Sequence, residues 1–122
     1  MPAQSIVLLS QTTTVSANLS EYTYTQKQKG DGYYNLGEGK HTVVFLFDNF
    51  KGAVKIQATL AVDPQSGDWF DVVYDSNPVD LTALDSTPLI SAQYRNFTGN
   101  FTWIRAAYIL EQGTIREIRY NH

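Results

Sequence analysis

Two carboxylates beside an aromatic pair are the closest approach to a catalytic arrangement in this chain. Asp68 and Asp71 flank the pair Trp69-Phe70. Asp63 and Asp75 lie close by in sequence. Glycosidases use two such carboxylates on either side of the scissile bond. The pairing is weakened here because residues three apart on a strand point to opposite faces. Aspartate is also a standard turn residue, so Asp63 and Asp68 are predicted to solvate a turn, and a small glycosidase-like hydrolase is only an alternative.

Other catalytic, metal-binding and cofactor-binding groups are scarce. The only histidines are His41 and His122, cysteine is absent, and no serine lies in a nucleophile-elbow pattern. Covalent catalysis needs a base beside its nucleophile, so the chain is predicted not to be an enzyme. The turn acids show no EF-hand spacing, so no metal site is predicted. Gly30–Gly32 and Gly37–Gly39 lack the Lys-Ser or Lys-Thr of a phosphate loop, so no cofactor is predicted.

Aromatic side chains are the most informative candidates for binding. They make up 13% of the chain, and Tyr and Trp favour interfaces, where one end of the ring is buried and the other is wet. Tyr22 and Tyr24 are two residues apart and share one face of a predicted strand. Trp103 lies among apolar residues and is predicted to be in the core. The candidates for an interface or ligand site are Tyr22, Tyr24, Tyr33, Tyr34 and Trp69.

Short strands are predicted to position these groups, because helical periodicity is nearly absent. Ala53–Val62 alternates between apolar and polar residues over nearly its whole length. His41–Phe47 is apolar after its first two residues, and Phe50–Gly52 is predicted to be the hairpin turn between these two strands. Pro64–Gly67 is predicted to be a second turn, which leads into a strand over Asp68–Tyr74.

The last third of the chain is predicted to be a three-stranded meander. Its strands are Leu89–Phe97, Phe101–Leu110 and Thr114–Tyr120, joined by turns at Thr98–Asn100 and Glu111–Gly113. Because opposite charges pair across neighbouring strands, the arginines of this region are expected to pair with nearby glutamates rather than to bind an anion. The arginines are Arg105, Arg116 and Arg119, and the glutamates are Glu111 and Glu117.

These signals together predict an all-β fold of about eight to nine strands. The favoured architecture is a two-sheet antiparallel sandwich of jelly-roll or Greek-key type, and a closed barrel is the alternative. The length of 122 residues suits a single domain over 1–122. Residues 1–19 are predicted to be either an N-terminal arm or the first strand of the sheet.

Charge and hydropathy exclude several partners. The formal net charge is −3, whereas nucleic-acid binders normally carry a basic footprint, so no nucleic acid is expected. No apolar run approaches the roughly 20 residues that span a bilayer, so no membrane is expected. The start of the chain lacks a basic region followed by an apolar one, which predicts synthesis in the cytoplasm without a classical export signal.

Several strand-and-turn patterns give the chain a family resemblance. They are Gly39–Phe45, Asn49–Gly52, Ile56–Leu60, Gly67–Val72 and Gly99–Arg105, followed by Gly113–Ile115 and Arg119–Asn121. With them the chain resembles small virion structural proteins of tailed bacteriophages, especially those that infect cyanobacteria. The patterns cover most of residues 39–121 and contain no catalytic signature, so the resemblance assigns no active-site residue.

The resemblance implies a β-sandwich that decorates or cements a phage capsid, with placement on a tail or fibre as a variant. The implied partners are the major capsid protein or other virion proteins, together with further copies of the chain in a homo-oligomer such as a trimer. The implied location is the virion, after synthesis in the host cytoplasm. A carbohydrate-binding β-sandwich module is the alternative, since the tyrosines and Trp69 could stack on a glycan.

Overall fold

Two long antiparallel strands form the centre of the protein. The computed structural model describes residues 5–18, 20–33, 39–75, 81–82 and 92–121. In these residues the only helical element is a three-residue 3-10 turn, Ser66–Asp68. The strands are β1 (Ser5–Leu9), β2 (Thr23–Tyr24), β3 (Gln28–Lys29), β4 (Lys40–Thr59), β5 (Phe70–Asp71), β6 (Leu81–Thr82), β7 (Gln93–Thr98) and β8 (Trp103–Asn121).

The short strands line the outer sides of β4 and β8. These two pair with each other over almost their whole length, from Thr42 opposite Asn121 to Thr59 opposite Trp103. On the far side of β8 the N-terminal segment runs antiparallel, as β1, β2 and β3 in turn, with a single bridge at Thr12 between β1 and β2. On the far side of β4 lie β7, β6 and β5. Residues 5–9 therefore pair with β8 of the same chain.

The long strands fold back on themselves. Trp103 and Tyr120 would lie roughly 56 Å apart on a straight strand at about 3.3 Å per residue. Lys29 pairs with Trp103, yet the Tyr120 hydroxyl donates a hydrogen bond to the Lys29 carbonyl. The two halves of the ribbon must therefore face each other as two layers. This arrangement confirms the predicted all-β sandwich, and the eight strands of the described chain agree with the predicted eight to nine.

A bulged corner makes this bend. The register between β4 and β8 shifts between Asp48 and Gly52, opposite Gln112 and Thr114. Asn49 has a φ of 53° and Gly113 a φ of 80°, both in the left-handed region. Extra residues of this kind bend a strand and increase its twist.

The predicted hairpin turns at Phe50–Gly52 and Glu111–Gly113 are therefore wrong. Both segments lie inside continuous strands, where they form the bulged corner. The predicted meander is wrong as well, because β7 pairs with the Lys40–Phe45 end of β4. The beginning of β8 pairs with the opposite end of β4, at Thr59. Residues 99–102 therefore connect one layer to the other instead of closing a hairpin.

The core between the layers is rich in aromatic rings. Phe47 and Phe50 stack with centroids 4.4 Å apart, and both are buried. His41 stacks on Phe97 at 4.8 Å, and its Nδ1 lies 3.0 Å from the Gly39 carbonyl oxygen. This histidine is 2% exposed, so it is enclosed in the core. His122 lies outside the described residues.

The ion pair between Arg119 and Glu117, next to β1, is expected to make the stability of the fold depend on pH. Arg119 donates to both carboxylate oxygens of Glu117, at 2.9 and 3.2 Å, and to the Ser5 hydroxyl. The hydrogen bond from Arg119 holds the pKa of Glu117 below its ordinary value of 4.5. A lowered pKa in the folded state contributes stability above the ordinary pKa, and this contribution is lost as the pH falls through the folded value.

We therefore expect Glu117→Gln to lower the urea midpoint slightly at pH 7 and to have no effect once Glu117 is protonated in both states. The effect is small because the pair is partly exposed to solvent. Urea unfolding of both proteins between pH 7 and pH 2.5 would measure it. A difference in midpoint that stays constant down to the lowest pH would contradict the expectation.

Candidate binding face

Polar and aromatic side chains converge on the outer face of the layer formed by β2, β3, β5 and the adjoining halves of β4 and β8. Gln57 lies opposite Arg105 on one side and Asp71 on the other. Side chains alternate along a strand, so these groups point away from the core residues Ile56 and Ala58. We call this surface the aromatic–cation face. It consists of Tyr22, Tyr24, Lys27, Lys29, Tyr33, Lys55, Gln57, Trp69, Asp71, Trp103 and Arg105.

A stacked arginine lies at the centre of this face. The guanidinium carbon of Arg105 is 4.0 Å from the ring centroid of Tyr24 and 4.2 Å from that of Trp69. Arg105 Nε donates to Gln57 Oε1 at 2.9 Å. Burial lowers the pKa of Arg105 below its ordinary value, and the interaction with Tyr24 opposes this shift. A guanidinium remains charged in proteins, so the face carries a fixed positive group held between two rings.

A polar ladder holds this arginine in place. Gln57 Nε2 donates to Asp71 Oδ1 at 3.0 Å, and Asp71 pairs with Lys55 Nζ at 3.2 Å. Lys55 Nζ in turn lies 4.2 Å from the ring centroid of Tyr22. Gln57 is buried and uses both ends of its amide, so it fixes the distance between Asp71 and Arg105.

Replacement of Gln57 tests this ladder. Gln57→Ala removes two hydrogen bonds to charged partners, and we expect it to lower the free energy of unfolding by about 2 kcal/mol. Gln11 is exposed, so Gln11→Ala is expected to stay within about 0.5 kcal/mol of the native protein. Urea unfolding of both variants would measure this difference. Equal effects would show that the ladder does not contribute to stability.

A second group of cations and rings adjoins the stacked arginine. Lys27 Nζ lies 4.9 Å from the ring centroid of Trp103, and Lys29 Nζ lies 4.4 Å from that of Tyr33. The Tyr33 and Trp103 rings are 5.0 Å apart, and the Trp103 indole N–H donates to the Val62 carbonyl at 2.9 Å. Trp103 was predicted to be in the core, and this is wrong. It alternates with the buried Ile104, so the two side chains must point to opposite faces.

The structure brings together most of the aromatic residues singled out from the sequence. Tyr22, Tyr24, Tyr33 and Trp69 all lie on the aromatic–cation face. Tyr24 is 50% exposed, so an approaching partner can reach its ring. Tyr34 lies outside the described residues.

The charged residues at the centre of the face were missed. Arg105 was expected to pair with a glutamate, and instead it bonds to Gln57. Arg119 does pair with Glu117, but the two lie two residues apart on β8, so the predicted pairing across neighbouring strands is wrong for this pair. The polar side of the Ala53–Val62 alternation contained Lys55 and Gln57, and this was the signal that could have located the face.

The acids considered for hydrolysis have other partners. Asp68 Oδ2 accepts the Gln65 backbone N–H at 2.8 Å and so closes the 3-10 turn, in agreement with the predicted turn role. Asp71 belongs to the ladder with Gln57 and Lys55. Among the described residues, no three or more His, Asp or Glu side chains gather into a group that could hold a metal ion. No helix of the described chain is long and apolar enough to cross a membrane.

Comparisons with known proteins add little to this description. No family model matches the chain, and no curated protein is similar to it. Among solved structures, it is similar to the K1 cleaved adhesin domain of Lys-gingipain from Porphyromonas gingivalis W83, with a TM-score of 0.34 and 9% sequence identity. The match covers 82% of this chain and 58% of the adhesin domain, so it spans little more than half of that protein. A similarity at this level supports no inference about function.

Proposed function

We propose that this chain is a structural module of a bacteriophage particle, a capsid decoration or cement protein that binds its neighbours through the aromatic–cation face. The observation that carries the proposal is the stack of Tyr24, Arg105 and Trp69 on an outer face of the sandwich. Trp, Tyr and Arg are the residue types that contribute most to hot spots of protein–protein interfaces. The partners proposed are other virion proteins and further copies of the chain, and a tail or fibre is the alternative location.

Preorganisation of the face supports a binding role. The Arg105 side chain is held by two rings and a hydrogen bond before any partner arrives. Association normally has to restrict the rotamers of long side chains, and this cost is smaller when they are already fixed. The resemblance to virion proteins supports a location on a phage particle. The geometry of the aromatic–cation face supports that face as the contact surface.

The same geometry favours a protein partner over a glycan. Stacking of a sugar needs the open face of an aromatic ring. Cations already cover one face of Tyr22, Tyr24, Trp69 and Trp103. Calorimetry against a broad glycan panel tests this alternative, and saturable binding that Trp69→Ala abolishes would favour the carbohydrate-binding module.

Incorporation into particles is the direct test of the proposal. We expect the chain to be present in gradient-purified virions of the phage that encodes it. Trp69→Ala and Tyr24→Ala remove hot-spot contacts of about 2 kcal/mol or more, so the copy number at limiting protein should fall at least about tenfold. Quantitative mass spectrometry of the particles would measure the copy number.

Tyr94 provides the matched control for this experiment. It is an exposed tyrosine, 65% accessible, on β7, in the opposite half of the sandwich. Tyr94→Ala should therefore enter particles as the native chain does. Absence of the chain from every virion preparation would refute the proposal. Equal losses in all three variants would show that the aromatic–cation face is not the contact surface.

A further inference from the structure

The outer edge of the Arg105 guanidinium is left open by its surroundings. The rings of Tyr24 and Trp69 lie against it, with centroids 4.0 and 4.2 Å from its central carbon, and Gln57 takes the N–H of Nε. Within the described residues, Nη1 and Nη2 of Arg105 donate no hydrogen bond, and neither is among the buried unpaired polar atoms. The N–H groups of Nη1 and Nη2 therefore have no hydrogen-bond partner among the described residues, and neither nitrogen is fully buried.

We propose that the Nη edge of Arg105 is a binding site for a carboxylate, supplied by an Asp or Glu side chain of the partner protein. A guanidinium edge matches the two oxygens of a carboxylate and forms two parallel hydrogen bonds with it. This inference rests on the proposed function and adds to it the chemistry of the partner. The two rings and the hydrogen bond to Gln57 hold the guanidinium in place, so the site favours a planar oxyanion that approaches from outside the face.

The charges around Arg105 favour an anion at this position. Lys27 lies over the ring of Trp103, two residues from Arg105 on the same face. The acid of the ladder, Asp71, is paired with Lys55 and is separated from Arg105 by Gln57. The formal charge of the whole chain is −3, so this cationic face is a local feature. A partner with an acidic segment complements it.

Titration of the native protein with small anions tests the site directly. Propionate represents the side chain of glutamate, methyl phosphate represents a phosphate source, and chloride controls for ionic strength. We expect propionate to shift the NMR signals of the Arg105 side chain and of the Trp69 indole N–H saturably, while chloride at equal ionic strength does not. Stronger saturation by methyl phosphate than by propionate would overturn the assignment to a carboxylate.

A lysine substitution tests whether binding needs the paired N–H donors of the Arg105 guanidinium. Arg105→Lys keeps the charge but loses the paired donors, so we expect propionate affinity to fall about tenfold, the usual effect of losing one charge-assisted hydrogen bond. Arg116 is exposed on the same strand, so Arg116→Lys is the matched control and should bind as the native protein does. Equal affinities in the two variants would overturn the proposal. If Arg105→Lys does not fold, the comparison of propionate with chloride on the native protein still decides it.

Particle incorporation and propionate binding together distinguish a failure of the carboxylate site from a failure of the proposed function. Loss of particle incorporation in Trp69→Ala without any saturable propionate binding would refute the carboxylate site and leave the proposed function standing. Saturable propionate binding by a chain that never enters particles would refute the proposed function and leave the anion site standing.

Discussion

Gly113→Ala is expected to destabilise the protein by at least about 3 kcal/mol, a large part of the 5–15 kcal/mol that stabilises a typical domain. Gly113 has a φ of 80°, in the left-handed region where a side chain is unfavourable. A β-carbon there would also lie 2.6 Å from the Asp48 carbonyl oxygen and closer still to that of Asn49. Both neighbours are backbone atoms of the paired strand, so they cannot move aside without opening the corner.

Gly67 offers a control for this substitution. It lies in the exposed 3-10 turn, and a β-carbon added there would meet nothing within 4 Å. We expect Gly67→Ala to be neutral or slightly stabilising, because it restricts the unfolded chain. Thermal and urea unfolding of both variants would measure the difference. A Gly113→Ala protein as stable as Gly67→Ala would show that the corner tolerates a side chain and does not bend β4 and β8 in the way proposed.

Phe50→Ala is expected to have a comparable effect, about 3–5 kcal/mol, which is the usual cost of removing a buried Phe side chain. Phe50 is fully buried and stacks on Phe47 with an angle of 9° between the ring planes. It follows the bulge at Asn49, so its ring fills the inside of the corner. Truncation leaves a cavity where backbone bulges limit the ability of the two strands to collapse.

A double-mutant cycle isolates the stacking from the burial. Phe47→Ala, Phe50→Ala and the double variant should give a coupling free energy of about 0.5–1.5 kcal/mol. Phe70 is 41% exposed, so Phe70→Ala is the control and should cost about 1 kcal/mol. A cost for Phe50→Ala that does not exceed the cost for Phe70→Ala would contradict the placement of Phe50 in the core.

The strand content and the two faces of the central strand were predictable, because both follow from the local alternation of apolar and polar residues. Ala53–Val62 separates its apolar and polar residues with a period of two, and β4 does bury Ile56 beneath a face that carries Lys55 and Gln57. The prediction is wrong for Leu60 and Val62, which lie beyond the end of β4 at Thr59 and are exposed. Tyr22 and Tyr24 were located by the same rule. Applied to Trp103 and Ile104, that rule would also have placed the tryptophan on the outer face.

The bend and the stacked arginine were not predictable from local pattern. Glycine at positive φ serves a hairpin turn and a strand bulge equally well, so Gly52 and Gly113 gave no means of choosing between them. The arginine site depends on register, because Tyr24, Trp69 and Arg105 meet only when β2, β4, β5 and β8 align. No spacing within one segment encodes that alignment.

The continuity of β4 and β8 through the corner has a consequence for how the protein folds. Each layer contains half of both strands, so neither layer can form a complete sheet while the other is unfolded, and unfolding is expected to be a single cooperative transition. The pairing of Ser5 with Asn121 closes a loop of more than a hundred residues. Because contacts at such separations slow folding, we expect this chain to fold in milliseconds to seconds, as β-sandwiches do. The rate of folding is therefore expected to depend on how soon the distant segments that pair along β4 and β8 come together.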